Sequence, residues 1–389
     1  MAWLVLVSLV QVWQQAAPMP TPGYGISCAV VNGRVYAIGG LRDWTDSLAP
    51  RRVVEAYDAA QDTWLTGFAP MPQTRWFCGC AALDGKIYVI GGTDGCCQVS
   101  RVDRFDPGAN RWDTVAPLPW LRQGLGSCTN QGVMYAVGGL SGIPGAGEFS
   151  RKAASFHPDG GAGYWTEIDS LNTPRASFGI DTVGGAIYVA GGVFFNALSQ
   201  VEYYTSCPEG WNPVQRAMNS ARGGLACVGY DRYFCAVGGM DDNDSCLSSV
   251  EVLDCSTGMW TEVEPLNTPR AYLSAAIVGN DIIVIGGRSQ QGTVGGVETH
   301  PRFIEGVGET RPEYRLSPTA YRLPLATVVR GQVRITASPG QSLEIVDGRG
   351  NVVAPRTRSV DIQLPPGVYF ARVRDAVQGC ATRKIVVVK

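Results

Sequence analysis

The side chains best suited to chemistry in this chain are arginines at a recurring place: Arg75, Arg122, Arg175, Arg222 and Arg270, with Gly23 at the matching point of the first repeat. A guanidinium is a planar fork of donors that fits carboxylates, so a ring of them around one opening would clamp an acidic ligand. Acids recur too, at Glu55, Asp103, Glu202, Glu251 and Glu298. The two sets do not lose members together. The first repeat keeps Glu55 without an arginine, and the third keeps Arg122 with Ala154 where the acid would stand. Two readings stay open: arginine and acid pair inside the scaffold, as repeat-wide features generally do, or the arginines face a ligand. Under either, Arg122 is the arginine least provided for. Aromatic residues fall nearby in sequence, namely Trp44, Trp76, Trp120 and the pair Phe194 and Phe195. They would stack on sugars or peptides, or else cover the packing between repeats. The ligand-binding candidates are therefore Arg75, Arg122, Arg175, Arg222, Arg270, Trp44, Trp76 and Trp120.

Catalytic and metal chemistry is poorly supplied. His157 and His300 are the only histidines, and neither sits in a ligand spacing for zinc or copper. Asp241, Asp242 and Asp244 offer hard oxygens for Ca²⁺, but without EF-hand spacing they read as a solvated loop. No nucleophile elbow, HExxH, phosphate loop or dinucleotide fingerprint occurs. No catalytic residue, metal or cofactor is expected, and an enzyme is the less favoured reading. Twelve cysteines are irregularly spaced. Cys28, Cys80, Cys128 and Cys227 occupy roughly one repeat position and read as small buried hydrophobes. Cys96, Cys97 and Cys246 lie in loops that would allow bridging in an oxidising compartment. The net charge of −2 provides no basic field for nucleic acid.

The elements that must position these residues are strands. Charged residues make up 17%, while glycines number 49 and prolines 24, which favours short strands and many turns. A Gly-Gly pair closing an apolar run recurs, with Gly39, Gly91, Gly138, Gly191, Gly238 and Gly286 as the first member, at a period of about 50 residues. Before each pair comes a hairpin signal such as Asn32-Gly33, Asp84-Gly85 or Gly184-Gly185. After it come a variable loop, a third strand such as VEAYD or VEVLD, a turn and a tryptophan. Those tryptophans are Trp64, Trp112, Trp165, Trp211 and Trp260; the sixth repeat lacks one and Trp13 is left over. Trp13 would then complete the last repeat and close a ring, which removes open sheet edges. The tryptophans offer apolar faces for the glycine pairs to pack on.

Through the six Gly-Gly pairs, the tyrosine shortly before most of them and the spaced tryptophans, the sequence from Gln11 to Ile304 resembles the kelch family. The resemblance implies a six-bladed β-propeller with ligands held on one face, where arginines of binding members meet them. From Pro318 onward the runs RGQVRITA, LEIVDGRGNVV, LPPGVYFARV and KIVVVK read as alternating strands. They look like the sorting domains of proteins exported by type IX secretion, which implies a Gram-negative bacterium and a secreted or cell-surface location. Met1–Val10 is apolar except for Ser8 and reads as an abbreviated export signal, too short to span a membrane. The expected organisation is all-β: a signal segment over 1–10, a six-bladed kelch propeller over 11–304, a linker over 305–324 and a small β-sandwich-like domain over 325–389. The expected function is an exported, non-catalytic binding or adhesion protein for a glycan or protein ligand, with the secretion machinery as a second partner. A carbohydrate-active propeller enzyme, such as a sialic acid mutarotase, and a structural surface component are the alternatives.

Overall fold

The computed structural model describes residues 12–42, 51–142, 147–205 and 210–303, together with the backbone of seven strands between 327 and 387. The chain divides into two units, Met1–Thr310 and Arg311–Lys389. Blade one of the first unit is an antiparallel sheet of Ser27–Val31, Arg34–Ile38, Val54–Asp58 and Thr63–Leu65, in that order. Blades two to five repeat this order within residues 79–115, 126–168, 179–213 and 226–263. Blade six takes Ser274–Val278, Asp281–Ile285 and Val297–Pro301 from one end of the unit and Gln14–Ala16 from the other. Gln14 lies opposite Thr299 and Ala16 opposite Val297.

The local reasons are visible in each blade. The turns between the first two strands use residues at positive φ: Asn32 at 51° and Gly33 at 74°, Asp84 at 51° and Gly85 at 71°. That is the geometry of a tight hairpin whose twist matches its strands. The first two strands are buried at alternate or nearly all positions, as expected of sheets packed face to face around an axis. One hydrophobic cluster joins Val31, Tyr36, Ile38, Val54 and Ala56 of blade one to Ile87, Val89 and Phe105 of blade two.

Tryptophan closes the ring by hydrogen bonding. Its indole Nε1 donates to a backbone carbonyl of the preceding blade: Trp112 to Ala69, Trp165 to Ala116, Trp211 to Asp169 and Trp260 to Arg216, at 2.8–3.1 Å. Trp13 donates to Glu264 at 2.9 Å and Trp64 to Ala17 at 2.8 Å, which completes the cycle through blade six. Trp13 is 3% exposed and lies 5.1 Å from the His300 ring. The glycine pairs are required by a different neighbour than the tryptophan face. A Cβ on Gly39 would lie 2.4 Å from the carbonyl oxygen of Arg75 in the next blade, and one on Gly191 would lie 2.6 Å from that of Arg222. The second glycine donates its N–H to the same oxygen, Gly40 to Arg75 at 3.1 Å and Gly192 to Arg222 at 2.9 Å. The pair is therefore the seam between blades.

The second unit, taken by itself, holds two antiparallel sheets. One orders Thr327–Val329, Gln332–Thr336 and Ser359–Gln363; the other orders Val352–Thr357, Gln341–Asp347, Gly367–Asp375 and Gly379–Val387. Among the described residues no helix is long and apolar enough to cross a membrane.

Candidate functional site

Four of the five repeat arginines are architecture. Arg75, Arg175, Arg222 and Arg270 are each 0% exposed. Arg175 Nη2 pairs with Glu202 at 2.7 Å, and its Nη1 donates to the Gly191 and Gln200 carbonyls at 2.9 and 3.0 Å. Arg222 repeats this with Glu251, Gly238 and Ser249, and Arg270 with Glu298, Gly286 and Gly296. Desolvation by burial lowers the pKa of Arg175, Arg222 and Arg270, and the paired acid partly offsets it. Each of these acids also accepts two backbone N–H groups from the loop before its arginine: Asn172 and Thr173 on Glu202, Asn219 and Ser220 on Glu251, Asn267 and Thr268 on Glu298. A buried ion pair persists only when its remaining donors and acceptors are satisfied, and this loop satisfies them. In blade two Asp103 is shorter than glutamate, and it takes Arg75, Arg101 and Thr114 instead. These geometries remove Arg75, Arg175, Arg222 and Arg270 from the ligand-binding candidates. In the blade without an arginine, Glu55 accepts from Thr21 Oγ1.

Arg122 keeps the backbone seam of the pattern, with Gly92 donating to its carbonyl at 2.7 Å, but departs from it in acid, loop and side-chain partners. Ala154 stands where the acid would be, and Pro119 stands at the first loop position, where it has no N–H to give a carboxylate. The Arg122 side chain donates to the Ser150 hydroxyl at 2.8 Å and to the Leu121 carbonyl at 3.1 Å. Its Nε, like that of Arg75, has no hydrogen-bond partner among the described residues. Glu148 acts on it electrostatically, against a larger desolvation that lowers its pKa; the two form no ion pair within 4.0 Å among the described contacts. Arg122 is 6% exposed, so a cation is held in a largely dry place with no paired anion among the described residues. Above it lies Trp120, with the guanidinium carbon 5.5 Å from the ring centroid and Lys152 Nζ 5.2 Å from it. Trp120 Nε1 donates to Glu167 at 3.2 Å, and Leu121 next to it is 53% exposed.

The remaining aromatic candidates separate. Trp76 is 9% exposed, bridges to Thr93 through its backbone and packs with Tyr24 and Leu41, so it belongs to the core. Trp44 lies outside the described residues. The loops after the glycine pairs of blades three and four bring Phe149 to 5.7 Å from Phe194 and 5.6 Å from Phe195, and Phe195 is 81% exposed with φ of +63°. Sequence alone pointed to Phe194 and Phe195; Phe149 was missed because the loop length before it hides its repeat position.

At the axis, two residues past the arginine position, Gly25, Phe77, Gly124, Ser177, Gly224 and Tyr272 all hold φ between 51° and 61°. Each donates its N–H to the carbonyl of the preceding member, at 2.6–3.1 Å, and Gly25 closes the ring on Tyr272. For Phe, Ser and Tyr that backbone region is strained, and the closed ring is what holds them there. The cavity at this level is about 90 Å³ and the next one down the axis about 140 Å³, both below the ~300–1,000 Å³ of small-molecule pockets. Cys28, Cys80 and Cys227 stand at one level of the inner strands, opposite Ala37, Val89 and Ala236, but Ser127 holds that level in blade three and Cys128 is one residue further on. Burial pushes the thiol pKa values of all four cysteines up. His300 stacks on Phe303 at 4.2 Å, and His157 on Tyr164 at 5.2 Å. Asp241 caps its own loop through the N–H groups of Asn243 and Ser245. Among the described residues no three His, Cys, Asp or Glu side chains are grouped to hold a metal ion.

Fold and seams define a six-bladed propeller built from kelch repeats. The kelch motif model matches residues 22–67, 75–119, 174–207 and 221–267; blade three, with its displaced arginine, and the split blade six lie outside these segments. Kelch-like protein 35 of Mus musculus is 30% identical over 182 residues, which is 46% of this chain and 29% of that protein. Kelch-like protein terF of Aspergillus terreus is 24% identical over 277 residues, 67% of this chain and 60% of that protein. Kelch-like protein 23 of Homo sapiens is 27% identical over 223 residues, 56% of this chain and 37% of that protein. The chain thus spans less than two thirds of the length of these relatives. Four segments of its propeller match the kelch motif.

Proposed function

We propose that the propeller is a non-catalytic protein-binding module that takes an acidic segment of its partner against blade three, on the face carrying the Gly-Gly loops. The observation behind this reading is the largely buried Arg122, which has no paired carboxylate among the described residues while its four counterparts have one. A partner carboxylate would fill the role that Ala154 leaves open, and a hydrogen-bonded charge in such a place is worth several kcal/mol of discrimination, ~2–5 kcal/mol. Trp120 and Lys152 offer a ring and a second cation beside it, and the Phe149, Phe194 and Phe195 group supplies apolar contact on the same set of loops. Kelch propellers typically bind proteins, which supports a protein partner over a glycan. The pairing of Glu202, Glu251 and Glu298 with arginines speaks against these acids serving a carbohydrate-active enzyme. An acidic-peptide array probed with the full chain tests the reading. Selective binding of acidic peptides, lost in Trp120→Ala and Lys152→Ala, supports it; binding indifferent to peptide charge rejects it.

We also place the protein outside the cytoplasm of a Gram-negative bacterium, on the support of the apolar Met1–Val10 segment and the sorting-like run LEIVDGRGNVV. Cell fractionation with an antibody against the propeller checks this, and a purely cytoplasmic pool rejects it.

A further inference from the structure

The loop after the glycine pair of blade two carries two adjacent cysteines, Cys96 and Cys97, both exposed and both free. Asp94 organises them. Its Oδ1 accepts the N–H of Cys96 at 3.1 Å, the N–H of Cys97 at 3.0 Å and the Cys96 thiol at 3.4 Å, while its Oδ2 accepts from Gln73 at 2.9 Å. The Cys97 carbonyl is fixed by the N–H of Asp94 at 3.1 Å and the hydroxyl of Thr93 at 3.0 Å. Adjacent exposed thiols on a loop pinned at both ends are a different arrangement from the other described cysteines, which are buried or half-buried.

We infer that Cys96 and Cys97 form a redox-active vicinal dithiol that closes to a disulfide by exchange with a small-molecule disulfide. The Cys96 thiol is held as a donor to Asp94 Oδ1 at 3.4 Å, whereas no hydrogen bond of the Cys97 thiol occurs among the described residues, so Cys97 is the first nucleophile, since the thiolate is the attacking form. The Cys97 sulfur attacks one sulfur of the oxidant, breaking its S–S bond, and the departing thiolate takes up the Cys97 proton. The Cys96 sulfur then attacks Cys97 of the mixed disulfide and expels the second small thiol, which takes up the Cys96 proton. Two electrons pass to the oxidant: two protein thiols and one disulfide become one protein disulfide and two small thiols. The loop is joined directly to the candidate ligand site, because Val99 accepts the backbone N–H of Arg122 at 3.2 Å. Any effect of closure on ligand binding rests on the proposed function, whereas closure itself does not.

The test is made on the full chain with oxidised glutathione as the probe, followed by alkylation and tryptic mapping. Cleavage after Lys86 and Arg101 releases a peptide containing Cys96 and Cys97 and no other cysteine. The expected result is a peptide lighter by two hydrogens, free of adduct, and restored by a phosphine reductant. A peptide alkylated at both cysteines, or carrying two glutathiones, overturns the inference. In Cys96→Ser the reaction must stop with one glutathione on Cys97; an unmodified Cys97 there overturns the assigned order of attack.

Discussion

The Arg122 guanidinium donates to the Ser150 hydroxyl at 2.8 Å, whereas Arg222 pairs with the carboxylate of Glu251, whose register position in blade three is held by Ala154. One substitution of acid by alanine, at residue 154, accompanies a proline at 119 that removes the backbone donor the acid would have used. The loop, the acid and the arginine thus change together in blade three, and that concerted change separates a candidate site from five blades of architecture.

The paired arginines set a stability prediction. Arg222→Ala leaves Glu251 buried at 1% exposure, still holding two backbone donors but no cation. Breaking a buried pair from one side costs about 3–5 kcal/mol, and urea unfolding of the variant should show that loss. Arg122→Ala, which abandons no carboxylate, should cost distinctly less.

Ring closure sets a second. Trp13→Ala removes a 3%-exposed side chain and its bond to Glu264, and large-to-small changes of buried tryptophan cost about 3–5 kcal/mol. A thermal melt should move by many degrees, whereas Trp120→Ala, half-buried at the surface, should leave it nearly unchanged.

Much of the propeller was legible because its determinants are periodic and local. The Gly-Gly pairs mark the seams, and the missing sixth tryptophan identified Trp13 as the closing residue. The physical reason for the glycines was not legible: the neighbour that excludes a Cβ is the Arg75 or Arg222 carbonyl of the next blade, which is remote in sequence. The same holds for the axial ring. Phe77 and Tyr272 at positive φ carry no sequence signal, since the hydrogen bonds that hold them run between blades. Arginine and acid in register did signal pairing, and Ala154 signalled its failure. The role of Pro119 was present in the sequence, but only the donors on Glu202, Glu251 and Glu298 show what it lacks.

A pH dependence follows from Asp181 on the inner strand of blade four. Burial raises its pKa to about 6, and the N–H groups of Gly229 and Thr182 only partly oppose this. A carboxyl raised on folding binds its proton more tightly in the native state, so its contribution to stability is full below about pH 3.8 and is lost as pH rises through about 6. Asp181→Asn should flatten that part of the stability profile, read as the urea midpoint at steps of pH between about 4 and 7.

The most direct test of the central claim is to restore the acid. Ala154→Glu gives Arg122 the carboxylate its counterparts have, without touching Trp120 or Lys152. Binding of the full chain to an acidic-peptide array should fall by about tenfold or more, the ~1.4 kcal/mol step at minimum, while the melting temperature shows the variant to be folded. A folded Ala154→Glu protein that keeps its binding of acidic peptides unchanged would contradict the assignment of Arg122 as the anchor of the site.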